Sequence, residues 1–368
     1  MLTRHPPNTG SAECETLAIE WLESCNSTHS KCRELWSREE WLPTRLIDVG
    51  LTDNPRHPRL ISTRERKCDQ DFKYVALSHR WASTNVVKLE LSNIRSFMRR
   101  LPADSLSPTF LDAISFTRTL GIRYLWIDSL CIIQDSSEDW QAEALQMDKV
   151  YRNCICNIAA TASSDYGNGL FQERNPFWST PKKIRIQYSG HDGVYSASPT
   201  HLWGKWISNA SLNRRGWVFQ ERLLSPRTLH YSTQLFWECP TLQACETFPG
   251  GMPCSHDKYR DLTGDYHDIR FKDWQQRGET ETWVRLVRQY TQCTITRPED
   301  RIIAIAGIAK SLQPLLDDDD YLAGLWKRDL PWNLGWSLTN YVSDINSTNN
   351  VAGPSWSWAS LDYDSGQI

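Results

Sequence analysis

The sequence predicts an α/β protein, a parallel sheet covered by helices on both sides and followed by an α+β extension. Three observations predict it. Tyr74–Ser78 (YVALS), Arg123–Ile127 (RYLWI) and Cys154–Thr161 (CICNIAAT) are apolar runs of strand length. Helical patterns alternate with them, and strands buried on both faces belong to parallel sheets. The chain of 368 residues is 40% hydrophobic and 23% charged, which suits a folded globular protein.

The helix between the first two strands carries the clearest signals. Ser107 is placed as N-cap with Pro108 at the first helical position, and Gly121 as the stop. Phe110, Leu111 and Ile114 give its apolar spacing. The next helix has Ser136 as cap with Asp139 three residues on, and Trp140, Ala144, Met147 and Tyr151 repeat along one face. Three sections follow: 1–70 as a leader packed on the core, 71–225 as the main domain, and 226–368 as the C-terminal extension. In the leader, an amphipathic stretch (Ile19, Trp21, Leu22, Leu35, Trp36) precedes extended pieces near Arg45–Val49 and Arg59–Ser62. In the extension, strands are expected near Arg227–His230 and Leu235–Glu238, a helix at Thr282–Cys293, and an apolar stretch at Arg301–Ile308. Asp317–Asp320 reads as a solvated loop, lacking the spaced ligands and glycine of a calcium loop.

Charge and composition exclude several classes. A net charge of -3 offers no footprint for duplex nucleic acid. No stretch of about 18 apolar residues suggests a membrane span, and the first ten residues lack the apolar core of a signal peptide. The 18 tryptophans fall in short clusters (Trp203 and Trp206, Trp332 and Trp336, Trp356 and Trp358), read as packing of irregular segments. The 11 cysteines lack C-x-x-C spacing, and Cys131, Cys154 and Cys156 lie in apolar runs. Reduced, buried thiols and a cytoplasmic location are the expectation. Zinc would require Cys14, Cys25, His29 and Cys32 to converge, a set without a recognised ligand spacing, so no metal is expected.

Several segments, taken in order, resemble the fungal HET-domain (heterokaryon incompatibility) family. They are YVALSHRWA at Tyr74–Ala82, the run from TFLDAI to NIAA over Thr109–Ala160, RGWVFQERLLSPR at Arg215–Arg227 and LFWEC at Leu235–Cys239. WLESCNSTHSKC and LPTRLIDVG stand ahead of them, EDRIIAIAGIA and PSWSWAS behind, so the resemblance runs from Trp21 to Ser360. The family usually carries Tyr-Cys-Trp-Gly where this chain has His79-Arg80-Trp81-Ala82. The resemblance implies a regulator of self/non-self recognition and programmed cell death, with a protein partner or self-association. The alternative is a tailoring enzyme or accessory protein of a fungal secondary-metabolite pathway.

That family is similar in fold to TIR domains, some of which cleave NAD, which implies a TIR/flavodoxin-like sheet and a nucleotide substrate rather than a bound cofactor. A TIR catalytic Glu follows a Trp by three residues, as Glu143 follows Trp140. By this resemblance Glu143 is the candidate catalytic residue, and Ser78, His79, Arg80, Trp81, Asp128 and Trp140 are candidate ligand-binding residues. One carboxylate near the ribose stabilises an oxocarbenium-like state, as in glycosidases. Arg80 and Asp128 end expected parallel strands, where ligands of open α/β sheets gather, suited to a pyrophosphate and a ribose hydroxyl. Each has a plainer reading: Glu143 as a boundary carboxylate, Asp128 as a turn cap, Arg80 as a surface cation, Trp81 and Trp140 as core anchors. Cys131 with a distant His is a nucleophile candidate, against a buried strand cysteine. Gln220-Glu221, between Trp217 and Leu224, reads as a buried structural pair, with a polar contribution to a cleft as its alternative.

Overall fold

The structure, a computed structural model, describes residues 5–35, 41–64, 72–81, 86–162, 169–253, 279–337 and 353–360. Helices α1 (Ala12–Thr28) and α2 (Ser30–Leu35) precede the hairpin β1 (Arg45–Leu51) and β2 (Asn54–Ser62). Then come β3 (Tyr74–Ser78), α3 (Ile94–Arg99), α4 (Pro108–Thr119), β4 (Tyr124–Trp126), α5 (Asp128–Cys131), α6 (Ser137–Ala144), α7 (Met147–Asn153) and β5 (Asn157–Ala159). After α8 (Pro176–Ser179) and the outlying hairpin β6 (Lys182–Tyr188) and β7 (His191–Ala197), the sheet resumes. Its later elements are α9 (Gly216–Leu224), β8 (Thr228–Tyr231), β9 (Leu235–Glu238) and β10 (Gln243–Cys245). Two further helices, α10 (Glu279–Tyr290) and α11 (Asp300–Leu312), follow.

Eight strands form one sheet in the order β10-β9-β8-β5-β3-β4-β1-β2. Its centre, β8-β5-β3-β4, is parallel, and both flanks are antiparallel. Counted among the parallel strands alone, the spatial order is 2-1-3-4, the doubly wound arrangement of flavodoxin-like sheets. The order reverses between β3 and β5, so the crevice at their carboxyl ends is where such a fold receives a ligand. The expected α/β class is therefore observed, with the β1–β2 hairpin hydrogen-bonded into the sheet and β8–β10 completing its other side.

Local signals explain most boundaries. Ser107 Oγ accepts the Phe110 amide, Pro108 opens α4, and Gly121 takes φ +68° just beyond it. Ser136 Oγ accepts the Asp139 amide and starts α6. The single helix expected through Tyr151 is broken: α6 ends at Ala144 and α7 begins at Met147, with Gln146 off helical geometry at φ -113°, ψ 2°. The break re-aims α7, so Tyr151 meets Trp126 edge-on at 5.7 Å.

Side chains alternate along β3, as a pleated strand requires. Tyr74 and Ser78 face α7 and α9: the Tyr74 hydroxyl donates to the Val150 carbonyl at 2.6 Å, and Ser78 reaches α9. On the opposite face α4 packs against β1 and β4, and its Phe116 meets Tyr231 of β8 at 5.5 Å. Helix α11 lies on α9. The tryptophan clusters divide: Trp203 and Trp358 are buried, while Trp332 is 85% exposed and Trp356 41%. Trp203 and Trp206 pack in one apolar cluster, whereas in the other two pairs packing accounts for one member, Trp336 and Trp358. The loop at Asp317–Asp320 is a turn, as expected. Among the described residues no helix is long and apolar enough to cross a membrane.

Candidate functional site

The site is built from the carboxyl ends of β3 and β4, from the first residue of β5 and from α9. Ser78 closes β3 and Asn157 opens β5, both buried on the α9 face. Apolar side chains would satisfy a sheet–helix interface, so two polar ones need partners there. Each finds the other: the Asn157 amide donates to Ser78 Oγ at 2.9 Å. The Ser78 hydroxyl donates in turn to Glu221 Oε2 on α9 at 2.5 Å. Glu221 is enclosed, and burial raises its carboxyl to about 7, with Asp128 adding to the rise while Ser78, Arg215 and Tyr151 oppose it. Burial likewise pushes the Tyr151 hydroxyl well up, reinforced by the Glu221 charge.

A second pair sits on the same rim. His79 follows β3 directly, is only 7% exposed, and stacks edge-on against Phe110 at 5.0 Å. Desolvation lowers its pKa despite the raising influence of Asp128, which keeps the ring neutral near pH 7. Asp128 Oδ1 lies 3.7 Å from His79 Nδ1 and accepts the Ser129 amide at 2.7 Å. Its Oδ2 accepts the Trp81 indole N–H at 2.8 Å. Arg215, at the start of α9, donates to the His79 carbonyl at 2.7 Å. His79 Nε2 and Ser129 Oγ are buried and have no hydrogen-bond partner among the described residues. Unsatisfied polar atoms inside a fold are costly and mark places where a ligand or water completes the set.

Of the residues expected from the sequence, Ser78, His79, Trp81 and Asp128 meet here, and Arg80 is half-buried beside them. Asp128 is the first residue of α5, whose N-cap position is Ile127 with no side-chain cap hydrogen bond. Glu143 is engaged with Arg45 instead: it is 4% exposed, 3.7 Å from Arg45 Nη2, and shares that guanidinium with Asp139. Burial raises its pKa, opposed by Thr44 and Arg45. Cys131 accepts Arg45 Nε on its carbonyl at 2.6 Å and is under the influence of Arg45, Glu143 and Asp128. It belongs to a short helix rather than a strand, and burial pushes its thiol up to about 12, which removes the thiolate a nucleophile needs. Trp140 stacks edge-on against Trp217 at 6.3 Å, in keeping with an anchor. The departure at Ala82 lies outside the described residues.

Gln220 and Glu221 separate in role. Gln220 Oε1 accepts the Gly307 amide of α11 at 2.9 Å, a packing contact, whereas Glu221 enters the polar cluster. Asn157, Tyr151 and Arg215 were not distinguishable in sequence from neighbours in their apolar or basic runs. A polar residue interrupting CICNIAAT was the available signal for Asn157.

No curated protein matches the chain, and no solved structure does. A family model described as Heterokaryon incompatibility protein (HET) matches residues 74–221, from the first residue of β3 to Glu221 itself. The two ends of the matched segment thus contribute the hydrogen-bonded pair Ser78 and Glu221, and residues 74–221 of this chain are a domain of the heterokaryon incompatibility family.

Proposed function

We propose that this chain is a regulator of fungal self/non-self recognition and programmed cell death, and that its HET domain acts through the polar cluster where β3 and β5 meet α9. The observation that carries this reading is Glu221, a carboxyl raised to about 7 and hydrogen-bonded to Ser78 at the sheet's switch point. A pKa near the working pH is what a proton-transferring group needs, and perturbed carboxyls concentrate at functional sites.

The chemistry proposed is cleavage of the nicotinamide–ribose bond of NAD. Water adds to the ribose carbon as nicotinamide leaves with the bonding pair, giving ADP-ribose, nicotinamide and one proton. In this reading Glu221 takes the proton from the attacking water and its charge stabilises the oxocarbenium-like state. Neutral His79 and Asp128 hold ribose hydroxyls, and Arg80 meets the pyrophosphate. Glu143, engaged with Arg45, is a positioning residue for the α5–α6 corner.

Purified chain incubated with NAD at low and high protein concentration tests this, with nicotinamide release measured by chromatography. Wild type is expected to release nicotinamide, Glu221→Gln to lose the activity by at least a hundredfold, and Glu143→Ala to keep most of it if folded. No release from folded wild type at either concentration removes the NAD reading and leaves action through a protein partner or a second copy. Equal release by Glu221→Gln places the chemistry outside this cluster.

A further inference from the structure

Four ligand-type side chains converge on the far side of the sheet from β2. Cys25 lies on α1, His29 ends that helix, Cys32 lies on α2, and Cys239 directly follows β9. One ligand atom of each lies within 4.8 Å of all the others. The chain kinks at His29 (φ -85°, ψ 98°) between the two helices, which turns residues from both toward one point. The fourth member is Cys239, not Cys14, which sits instead against Arg174 with its sulfur 3.5 Å from Nη2.

The spacing is that of a tetrahedral site. Zn–S bonds of about 2.3 Å and Zn–N bonds of about 2.05 Å at tetrahedral angles place sulfur and nitrogen ligands about 3.6 Å apart. His29 Nδ1 is 3.5 Å from Cys239 Sγ and 3.7 Å from Cys32 Sγ. The surroundings carry matching charge. Arg227 Nε donates to Cys25 Sγ at 3.1 Å, and Thr241 Oγ1 lies 3.4 Å from Cys32 Sγ. Arg227 is 7% exposed, and among the described residues its partners are that sulfur and the Ile155 carbonyl, with no carboxylate ion pair. A buried guanidinium is ordinarily paired with a negative group. Three thiolates and a neutral imidazole around a divalent cation leave one negative charge, which Arg227 balances. Three packed neutral thiols offer it nothing comparable.

We propose that Cys25, His29, Cys32 and Cys239 bind one zinc ion as a closed structural site. All four positions are filled by protein, so the ion holds the α1–α2 leader to the end of β9 and has no open position for chemistry. The soft sulfur donors and tetrahedral arrangement select zinc over magnesium or calcium. Arg227 and Thr241 orient the sulfurs from outside the ligand set.

Elemental analysis of the full chain, purified under reducing conditions without chelator, tests the site. About one zinc per chain is expected. Cys32→Ser and Cys239→Ser are expected to fall to near zero, and Cys14→Ser to keep the full content. Because a ligand variant can fail to fold, wild type is also exchanged into cobalt, where a thiolate-to-cobalt charge-transfer band is expected. Wild type with free thiols and neither zinc nor a cobalt band overturns the proposal. So does iron in place of zinc, full zinc content in Cys239→Ser, or a disulfide among Cys25, Cys32 and Cys239 found by alkylation and mass spectrometry.

Discussion

Glu221→Gln stabilises the chain at pH 8 and flattens its stability between pH 4.5 and 7. The Glu221 carboxyl moves from an ordinary 4.5 to about 7 on folding, chiefly through burial. The folded state therefore holds that proton more tightly than the unfolded chain does. Below the unfolded value both states are protonated and the residue carries no penalty. As pH rises through the window up to about 7 the penalty grows, to on the order of 3 kcal/mol, and above it stays constant. Glutamine never ionises, and its amide oxygen still accepts the Ser78 hydroxyl. The difference between variant and wild type, from denaturant unfolding at a series of pH values, should be near zero at pH 4 and about 3 kcal/mol at pH 8. Parallel curves would mean that Glu221 is not enclosed as described. A residue that costs a fold this much at neutral pH is typical of a functional site, where stability and activity are traded.

The largest loss is expected from Glu246→Ala. Both oxygens of Glu246 accept from Arg174, at 2.7 and 2.6 Å, and Oε1 also accepts the Leu235 amide at 2.6 Å. The pair is nearly enclosed, with side chains 6% and 4% exposed. Arg174 further donates to the carbonyls of Pro6 and Thr233, so it ties the first described residues to the β8–β9 turn. Removing one partner of such a pair leaves a buried charge uncompensated, at about 3–5 kcal/mol. Replacing both together, as Arg174→Met with Glu246→Leu, is expected to recover much of that loss, because the desolvation of two charges disappears with them. Urea midpoints of the single and double variants measure this. A single variant within 1 kcal/mol of wild type would contradict the buried geometry.

What could be read from the sequence was local. YVALS, the Ser107–Pro108 start of α4 and the Gly121 stop each combine composition with a nearest-neighbour signal, and each element formed where expected. The break between Ala144 and Met147 was hidden because Trp140, Ala144, Met147 and Tyr151 keep helical spacing across it. The candidate site was half legible. Ser78, His79, Trp81 and Asp128 lie at strand ends, which apolar patterning locates. Their partner Glu221 comes from α9, and no local pattern pairs it with Ser78. Glu143 had the stronger local argument, but Arg45 reaches it from the β1–β2 hairpin, a contact that spacing within one helix does not reveal. Cys239 joins Cys25, His29 and Cys32 for the same reason: the sheet's topology, rather than chain proximity, brings them together.

The most direct measurement of the proposed cell-death role is the viability of fungal cells expressing wild type or Glu221→Gln, with protein level and thermal unfolding recorded for both. If the Ser78–Asn157–Glu221 cluster is the working site, wild type kills, and the variant accumulates normally, unfolds no earlier than wild type and does not kill. A stable Glu221→Gln protein that kills as efficiently as wild type would contradict it.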